Sequence, residues 1–217
     1  MINCGGVWLP DGETHLVDWM LKRNERIDGK LTYQYHKLRA ALQYVKKFDH
    51  AVDVGAHCGL WSMHLARKFL FLQAYEPVAA HRECFAKNVS VEDGCEVGLY
   101  PIAIGEHDGF VKIHTAPTSS GDSWVDGVGD IPMRRLDDLL VDQVIDFLKL
   151  DCEGYELFAL LGAGELLKRS RPCVIVEQKP GRAQKFGLPE RGAVDYLQSL
   201  GAKLRLEMSG DFILSWD

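Results

Sequence analysis

Almost continuously apolar runs of strand length recur through the second part of the chain. They occupy residues 51–54, 69–72, 97–104, 144–150 and 173–177. Runs of this kind are typical of strands buried on both faces of a parallel sheet. Segments with apolar residues at helical spacing follow most of them. The pattern predicts an α/β fold, a Rossmann-like and mostly parallel sheet with helices on both faces.

The first 49 residues show a different, helical pattern. Apolar positions indicate one helix over about 16–23, ended by Asp28-Gly29, and a second over about 31–45. We expect residues 1–49 to form a helical extension packed on a core domain of residues 50–217. Tyr35 and His36 lie where such a cover could contact a ligand, although aromatic residues on an apolar face often only pack.

Two segments predict antiparallel structure. A turn at 106–109, a strand at 110–114, a polar loop over 115–130 and an edge strand at 131–135 form an insertion before the fourth strand of the sheet. The end of the chain reads as a hairpin, with strands 203–208 and 211–216. The loop offers four side chains that could contact a substrate or form mobile surface: Ser119, Ser120, Ser123 and Trp124.

Composition limits the class of protein. The chain has 217 residues, of which 47% are hydrophobic, so it can bury one full core. Its formal net charge of −6 argues against a protein that mainly binds nucleic-acid phosphates. The six cysteines show no metal-ligand spacing, which favours reduced, buried thiols. No signal-peptide pattern or membrane-length apolar run is seen, so we expect a cytoplasmic protein.

The segment 51–62 carries the first candidate site. A buried strand ends at Asp53, a turn contains Gly55 and Gly59, and a helix follows. Glycines let a ligand approach the main chain, and the free amides of the helix face the same point. Asp53 could accept a hydrogen bond from a cationic ligand group. Together these features suit a zwitterion such as the methionine part of S-adenosylmethionine.

Glu76 closes the second strand and favours the same cofactor. An acidic residue at this position can accept the ribose hydroxyls of an adenosine-containing ligand. The turn lacks the third glycine of a dinucleotide site and the lysine of a P-loop. Residues 102–105 at the end of the third strand should flank the adenine. The predicted cofactor-binding residues are Asp53, Gly55, Ala56, His57, Gly59, Glu76, Pro77, Ile102, Ala103 and Asp151.

Three further carboxylates are predicted at the ends of neighbouring strands. Asp151, Glu153 and Glu177 are the candidate catalytic residues. Glu153 or Asp151 could accept the proton of a hydroxyl during transfer of the methyl group. Alternatively, the pair could hold a divalent cation or only position its loop. A basic cluster formed by Lys179, Arg182 and Lys185 could receive an anionic acceptor or be a solvated loop.

Several segments, in the same order, resemble the FkbM-type S-adenosylmethionine-dependent methyltransferases. They are residues 52–59, 76–77, 103–109, 135–139, 145–156 and 176–177. The K-x-D-x-E-G-x-E box beginning at Lys149 is the most specific of them. His57 departs from the pattern, since the family commonly has Asn there. The regions before 50 and after 180 match less clearly.

The resemblance implies a seven-stranded sheet whose last two strands form an antiparallel hairpin. It also implies transfer of a methyl group to a hydroxyl of a sugar or another small metabolite. Two alternatives stay open: a catalytically silent cofactor-binding partner protein, and a methyltransferase with a nucleic-acid or protein acceptor. The Asp-Cys-Glu-Gly sequence at 151–154 differs from the box expected for methylation of a nucleic-acid base. The oligomeric state is left open.

Overall fold

A computed structural model describes residues 1–90, 94–116 and 118–216. The strands are β1 (Ile2–Cys4), β2 (Val7–Leu9), β3 (Arg26–Ile27), β4 (Lys30–Leu31), β5 (His50–Val54), β6 (Phe71–Tyr75), β7 (Glu96–Tyr100), β8 (Ala103–Ile104), β9 (Gly109–Val111), β10 (Ile113–Thr115), β11 (Ser123–Val125), β12 (Ile131–Arg134), β13 (Phe147–Leu150), β14 (Cys173–Glu177), β15 (Lys203–Met208) and β16 (Asp211–Ser215). The helices are α1 (His15–Arg23), α2 (Tyr35–Leu42), α3 (Ser62–Leu65), α4 (Ala79–Asn88), α5 (Leu136–Leu139), α6 (Glu156–Leu161), α7 (Gly164–Ser170) and α8 (Gly192–Ser199). A short 3-10 helix spans Ala183–Phe186.

A seven-stranded sheet forms the centre of the molecule. Its strand order is β15-β16-β14-β13-β5-β6-β7. The strands from β14 to β7 are parallel, and β16 is antiparallel to both β14 and β15. The Rossmann-like sheet with an antiparallel terminal hairpin is therefore confirmed. Because the parallel strands share one direction, β5, β6, β13 and β14 bring their carboxyl ends to the same edge.

The two faces of the sheet carry separate apolar clusters. Side chains alternate along β13, so Phe147 packs with the cluster on one face and Leu148 with the cluster on the other. Helices α6 to α8 contribute to the Leu148 side, and α2 and α3 to the Phe147 side. This arrangement explains why the strands read as continuous apolar runs. Among the described residues, no helix is long and apolar enough to cross a membrane.

The amino-terminal segment contains the two predicted helices and, in addition, two short hairpins, β1–β2 and β3–β4. The second helix is shorter than predicted because Leu31 pairs with Arg26 in a hairpin and the helix begins only at Tyr35. The segment packs on the core through a cluster that joins Met20 to Cys84 of α4. The boundary near residue 50 remains a prediction.

The insertion before β13 differs in detail from the prediction. The run 97–104 divides into β7 and β8, and β8 joins a separate sheet with the order β8-β12-β9. Strand β12 is thus central, so its assignment as an edge strand was wrong. Pro132 fits there because β8 pairs only with Met133 and Arg134, which leaves the proline without a ladder partner on that side. The polar loop, apart from residue 117, which lies outside the described residues, contains β11.

Candidate functional site

A cavity of about 1010 Å³, including its open mouth, lies at the carboxyl ends of β5, β6, β13 and β14. This is where ligands bind in doubly wound sheets. The turn after β5, Glu76 after β6, and the carboxylates after β13 and β14 all line it. The insertion and the amino-terminal segment cover the remaining sides. The predicted cofactor-binding and catalytic residues therefore line one cavity, except for Gly59 and Asp53.

Gly55 and Gly59 have different roles in the turn. Both have positive φ, 73° and 76° respectively. Gly55 lines the cavity, and a Cβ atom there would overlap the backbone oxygen of Asp151. A Cβ atom at Gly59 would instead lie 2.8 Å from both Phe85 and Val89. Gly59 therefore permits close packing of α4 against the turn, behind the cavity and away from the place predicted for the cofactor.

Asp53 is fully buried and is already satisfied by protein groups. Lys149 Nζ donates to its Oδ1 at 3.1 Å, and Ser62 Oγ donates to its Oδ2 at 2.7 Å. The side chain does not line the cavity, so the geometry does not support a direct bond from Asp53 to a ligand. The helix α3 is only one turn long, which also weakens the predicted contribution of a helix amino end. Asp53 instead holds Lys149.

Glu76 faces the cavity while fixing the turn beside it. Its Oε2 accepts the backbone N–H of His57 at 2.8 Å, and its Oε1 accepts that of Val78 at 2.8 Å. His81 Nδ1 lies 3.2 Å from Oε1. Although burial alone raises the pKa of Glu76, the bond and charge of His81 outweigh it, so the pKa is lower than usual. The carboxylate is therefore ionised at neutral pH.

His57 links the turn to the insertion. Its backbone is left-handed, with φ of 51°, and its Nε2 lies 2.9 Å from Ser120 Oγ. Its ring packs edge-on against His81, with centroids 4.2 Å apart. Burial, followed by the charge of His81, lowers the pKa of His57 to about 3. The imidazole is therefore neutral and serves as a hydrogen-bonding group.

One part of the cavity wall is apolar. Pro77, Ile102, Ala103 and Ile104 line it next to Glu76, as does Ala56 on the turn. Ile104 also belongs to the core cluster beneath the sheet end, which fixes the wall. An apolar wall adjoining a carboxylate can accommodate a ligand that presents a flat aromatic face next to hydrogen-bond donors.

Asp151, Glu153 and Glu177 meet at the other end of the cavity. Oxygen atoms from all three lie within 4.8 Å of one another. Lys179 Nζ lies 2.5 Å from Glu177 Oε1, and Arg182 Nε lies 2.9 Å from Glu153 Oε2. Arg182 also pairs with Asp122 of the insertion. Two of the three predicted basic residues therefore already have carboxylate partners, and the third, Lys185, lies over the ring of Trp124.

Glu153 is a buried carboxyl group whose pKa is far from its usual range. Burial, followed by the charge of Asp151, raises its pKa to about 8. Burial and the same neighbour also raise the pKa of Glu177 well above its usual range. Glu153 has φ of 54°, a strained conformation for a residue with a side chain. Gly154 follows because a Cβ atom there would meet the backbone oxygen of Arg182.

The cover of the cavity involves residues that differ in part from the predicted ones. Tyr33 and Leu16 line the cavity, whereas Tyr35 packs on His64 at 4.7 Å between ring centroids. From the insertion, Ser120 and Ser123 line it as predicted. Ser119 bonds to Asp122, and Trp124 packs on His114.

The sequence did not single out Tyr33 and Lys149, which line the cavity, or Glu13, which bonds to lining residues. Glu13 is buried and accepts the backbone N–H of Ser120 at 2.6 Å and that of Leu16 at 2.8 Å. It therefore joins the amino-terminal segment to the insertion above the cavity. The sequence did contain a signal for Lys149, because it is a charged residue inside an otherwise apolar strand. For Glu13 and Tyr33 the sequence offers no comparable signal, because their role depends on contacts with distant segments.

The seven-stranded sheet and the cavity at its carboxyl edge define a Rossmann-like α/β protein. The methyltransferase FkbM domain matches residues 53–209, and the chain belongs to that family. No curated protein matches the chain.

Two crystal structures show similarity in fold. The methyltransferase FkbM from Methylobacillus flagellatus KT has 19% identity and a TM-score of 0.50, over 78% of this chain and 43% of that one. The TehB-like SAM-dependent methyltransferase from Corynebacterium glutamicum ATCC 13032 Kitasato has 12% identity and a TM-score of 0.43, over 93% of this chain and 96% of that one. The chain thus spans less than half the length of the first of these proteins.

Proposed function

We propose that the protein uses S-adenosylmethionine to methylate a hydroxyl group of a sugar or another small metabolite. The observation that carries this proposal is the single cavity that joins Glu76 to Glu153 and Glu177. One end offers groups suited to an adenosine, and the other offers groups suited to a hydroxyl. Membership of the methyltransferase family supports the same reaction.

The residues present fit the cofactor. Glu76 uses three of its about four lone-pair positions on protein donors. We therefore expect it to accept one ribose hydroxyl, where the sequence alone suggested both. Pro77, Ile102 and Ala103 would contact the adenine. When bound, S-adenosylmethionine would supply an electrophilic methyl group on a sulfonium.

Glu153 is the proposed proton acceptor for the hydroxyl. A carboxyl group with a pKa of about 8 is a stronger base than an ordinary one and is still partly ionised at neutral pH. Arg182 forms an ion pair with one oxygen of Glu153, which lines the cavity. Glu177 would accept a hydrogen bond from a neighbouring hydroxyl of the same acceptor. A sugar carries several hydroxyls and can satisfy such a set.

Contacts between the covering segments favour a small-molecule acceptor. Glu13 bonds to Ser120, and the backbone N–H of Thr14 donates to the oxygen of Thr118 at 3.3 Å, so two segments meet over the cavity. A nucleic-acid or protein acceptor would have to separate them. A metabolite acceptor, unlike a macromolecule, could bind without breaking these contacts.

The proposal is tested by supplying S-adenosylmethionine with a radiolabelled methyl group and a panel of monosaccharides and hydroxylated metabolites. We expect label in at least one acceptor, on oxygen as shown by mass spectrometry of the product. A vector-only lysate fraction, purified in the same way, is the control. Tight cofactor binding with no transfer to any hydroxylated compound would favour the silent-partner alternative, and transfer to RNA, DNA or protein would contradict the small-acceptor part.

A further inference from the structure

Lys149 places a positive charge beneath the cofactor turn. It is the one charged residue of β13, whose other residues, Phe147, Leu148 and Leu150, are apolar. Its side chain is only 7% exposed, yet it lines the cavity. A lysine in such a position is costly to bury unless its donors have partners. Its hydrogen bonds therefore indicate what else it can hold.

Two of the three N–H groups of the ammonium are occupied. One donates to Asp53 Oδ1 and another to the backbone oxygen of Gly55, each at 3.1 Å. Asp151 Oδ2 lies 3.8 Å away, which is beyond hydrogen-bonding distance. Within the described part of the chain, the third N–H has no hydrogen-bond partner. It is available to a ligand in the cavity that Lys149 lines.

The ammonium remains charged in this position. Burial alone lowers the pKa of Lys149, but the charges of Asp53 and Asp151 outweigh it and raise the pKa above its usual range. The ring of Trp61 lies on another side, with its centroid 5.7 Å from Nζ. A protonated donor with one free N–H attracts an anionic group. Asp151, whose carboxylate is partly exposed beside it, attracts a cationic one.

We propose that Lys149 binds the carboxylate of the amino-acid end of the cofactor and that Asp151 binds its ammonium. This inference rests on the proposed function, because it assigns the contacts of the cofactor's methionine end. In this assignment Asp151, and not Asp53, contacts the cationic group of the cofactor. Asp53 has the positioning role of anchoring Lys149 from below, together with the oxygen of Gly55.

A charge-assisted hydrogen bond of this kind predicts a specific ligand preference. S-adenosylhomocysteine carries both charged groups, its decarboxylated analogue carries only the amine, and 5′-methylthioadenosine carries neither. We expect the wild-type protein to bind S-adenosylhomocysteine at least tenfold more tightly than the decarboxylated analogue, measured by calorimetric titration. This comparison requires no substitution and so does not depend on the folding of a variant.

Two variants assign the preference to Lys149. Lys149→Met removes the cation but leaves Asp53 buried without its partner, so this variant could fold poorly. Combining it with Asp53→Asn makes a neutral pair that avoids the buried charge. In either variant we expect the preference for S-adenosylhomocysteine over its decarboxylated analogue to fall to within about threefold, with the affinity for 5′-methylthioadenosine unchanged. Lys185→Met, which alters a lysine outside the cavity wall, should keep the wild-type preference.

The outcomes separate this inference from the function on which it rests. If the wild-type protein binds neither S-adenosylmethionine nor S-adenosylhomocysteine, the proposed function fails. If it binds S-adenosylhomocysteine and the decarboxylated analogue equally, the assignment to Lys149 is wrong although the function stands. The assignment is also wrong if the variants keep the wild-type preference. Equal weakening of all three ligands would show a purely structural role.

Discussion

At the scale of single residues, Glu153 combines three unusual properties. It is buried, its backbone is left-handed, and the pKa of its carboxyl is raised to about 8. Perturbed carboxyl groups of this kind are concentrated at functional sites. The groups that face it are Asp151 and Asp122, which favour protonation, and Arg182 and Lys179, which oppose it. Its protonation should therefore control methyl transfer.

The pH dependence of turnover follows from this pKa. The basic form of Glu153 increases as the pH rises through about 8, so kcat/KM should increase over the same range. Glu153→Gln should lower kcat at least a hundredfold at saturating cofactor. Steady-state rates from pH 6 to 9.5 with the best acceptor would measure both effects. Full turnover in this variant would exclude Glu153 as the base.

The same group predicts a pH dependence of stability. Since the folded-state pKa of Glu153 is higher than that of an unfolded glutamate, the folded protein binds more protons between about pH 4.5 and 8. Stability from this group is therefore present at low pH and decreases as the pH rises through that range. The Tm of Glu153→Gln relative to wild type should increase from pH 5 to 8.5. A constant difference would contradict the raised pKa.

At the scale of elements, the turn between β5 and α3 depends on Gly55. A side chain there would meet both a positive φ and the backbone oxygen of Asp151, the residue that follows β13. Gly55→Ala should destabilise the protein by about 3 kcal/mol or more and abolish binding of S-adenosylhomocysteine. Denaturant unfolding and calorimetry would measure these effects.

Gly29→Ala is the matched control for this substitution. Gly29 has φ of 80°, but a Cβ atom there has open space. It should therefore show only the backbone cost of about 1 kcal/mol of a side chain at positive φ and keep ligand binding. Equal losses of stability in the two variants would show that the contact with Asp151 is unimportant.

The covering elements should control how long the ligand stays bound. Ser120 Oγ joins Glu13 of the amino-terminal segment to His57 of the turn. Ser120→Ala should accelerate dissociation of S-adenosylhomocysteine roughly fivefold, because it removes the bonds that join the cover to the turn. Stopped-flow fluorescence would measure the rate. Ser119→Ala is the control, because the bond that it removes, to Asp122, lies within the insertion. It should change the dissociation rate less than twofold. If both variants accelerated dissociation equally, the bonds of Ser120 to Glu13 and His57 would not be what holds the cover.

The elements also show what sequence could predict. Strands β13 and β14 were predicted because burial on both faces makes them continuously apolar. The central position of β12 was missed because a proline usually indicates an edge strand. Here β8 does not pair with Pro132, so the proline is accommodated inside the sheet. Asp53 was correctly placed at a strand end, but its contact with Lys149 joins residues almost a hundred positions apart. Local patterns contain no information on such a pair, so the sequence could not indicate that Lys149 occupies the Asp53 carboxylate.

At the scale of the whole molecule, the balance of charges around the cavity bears on the need for a metal. Lys179 and Arg182 already compensate Glu177 and Glu153, so the carboxylates can act without a divalent cation. We expect methyl transfer to continue at its full rate after treatment with a chelator and to change less than twofold on addition of Mg²⁺. Loss of activity with EDTA, restored by Mg²⁺, would instead support a metal at these three carboxylates.

The proposed reaction depends on binding of an adenosyl cofactor through Glu76. Calorimetric titration of the wild-type protein and Glu76→Ala with S-adenosylmethionine, S-adenosylhomocysteine and NAD tests it most directly. We predict micromolar binding of the two sulfur compounds by the wild-type protein, weakened at least tenfold by the substitution, and no binding of NAD. Absence of binding of both sulfur compounds, or binding of NAD in their place, would contradict the account.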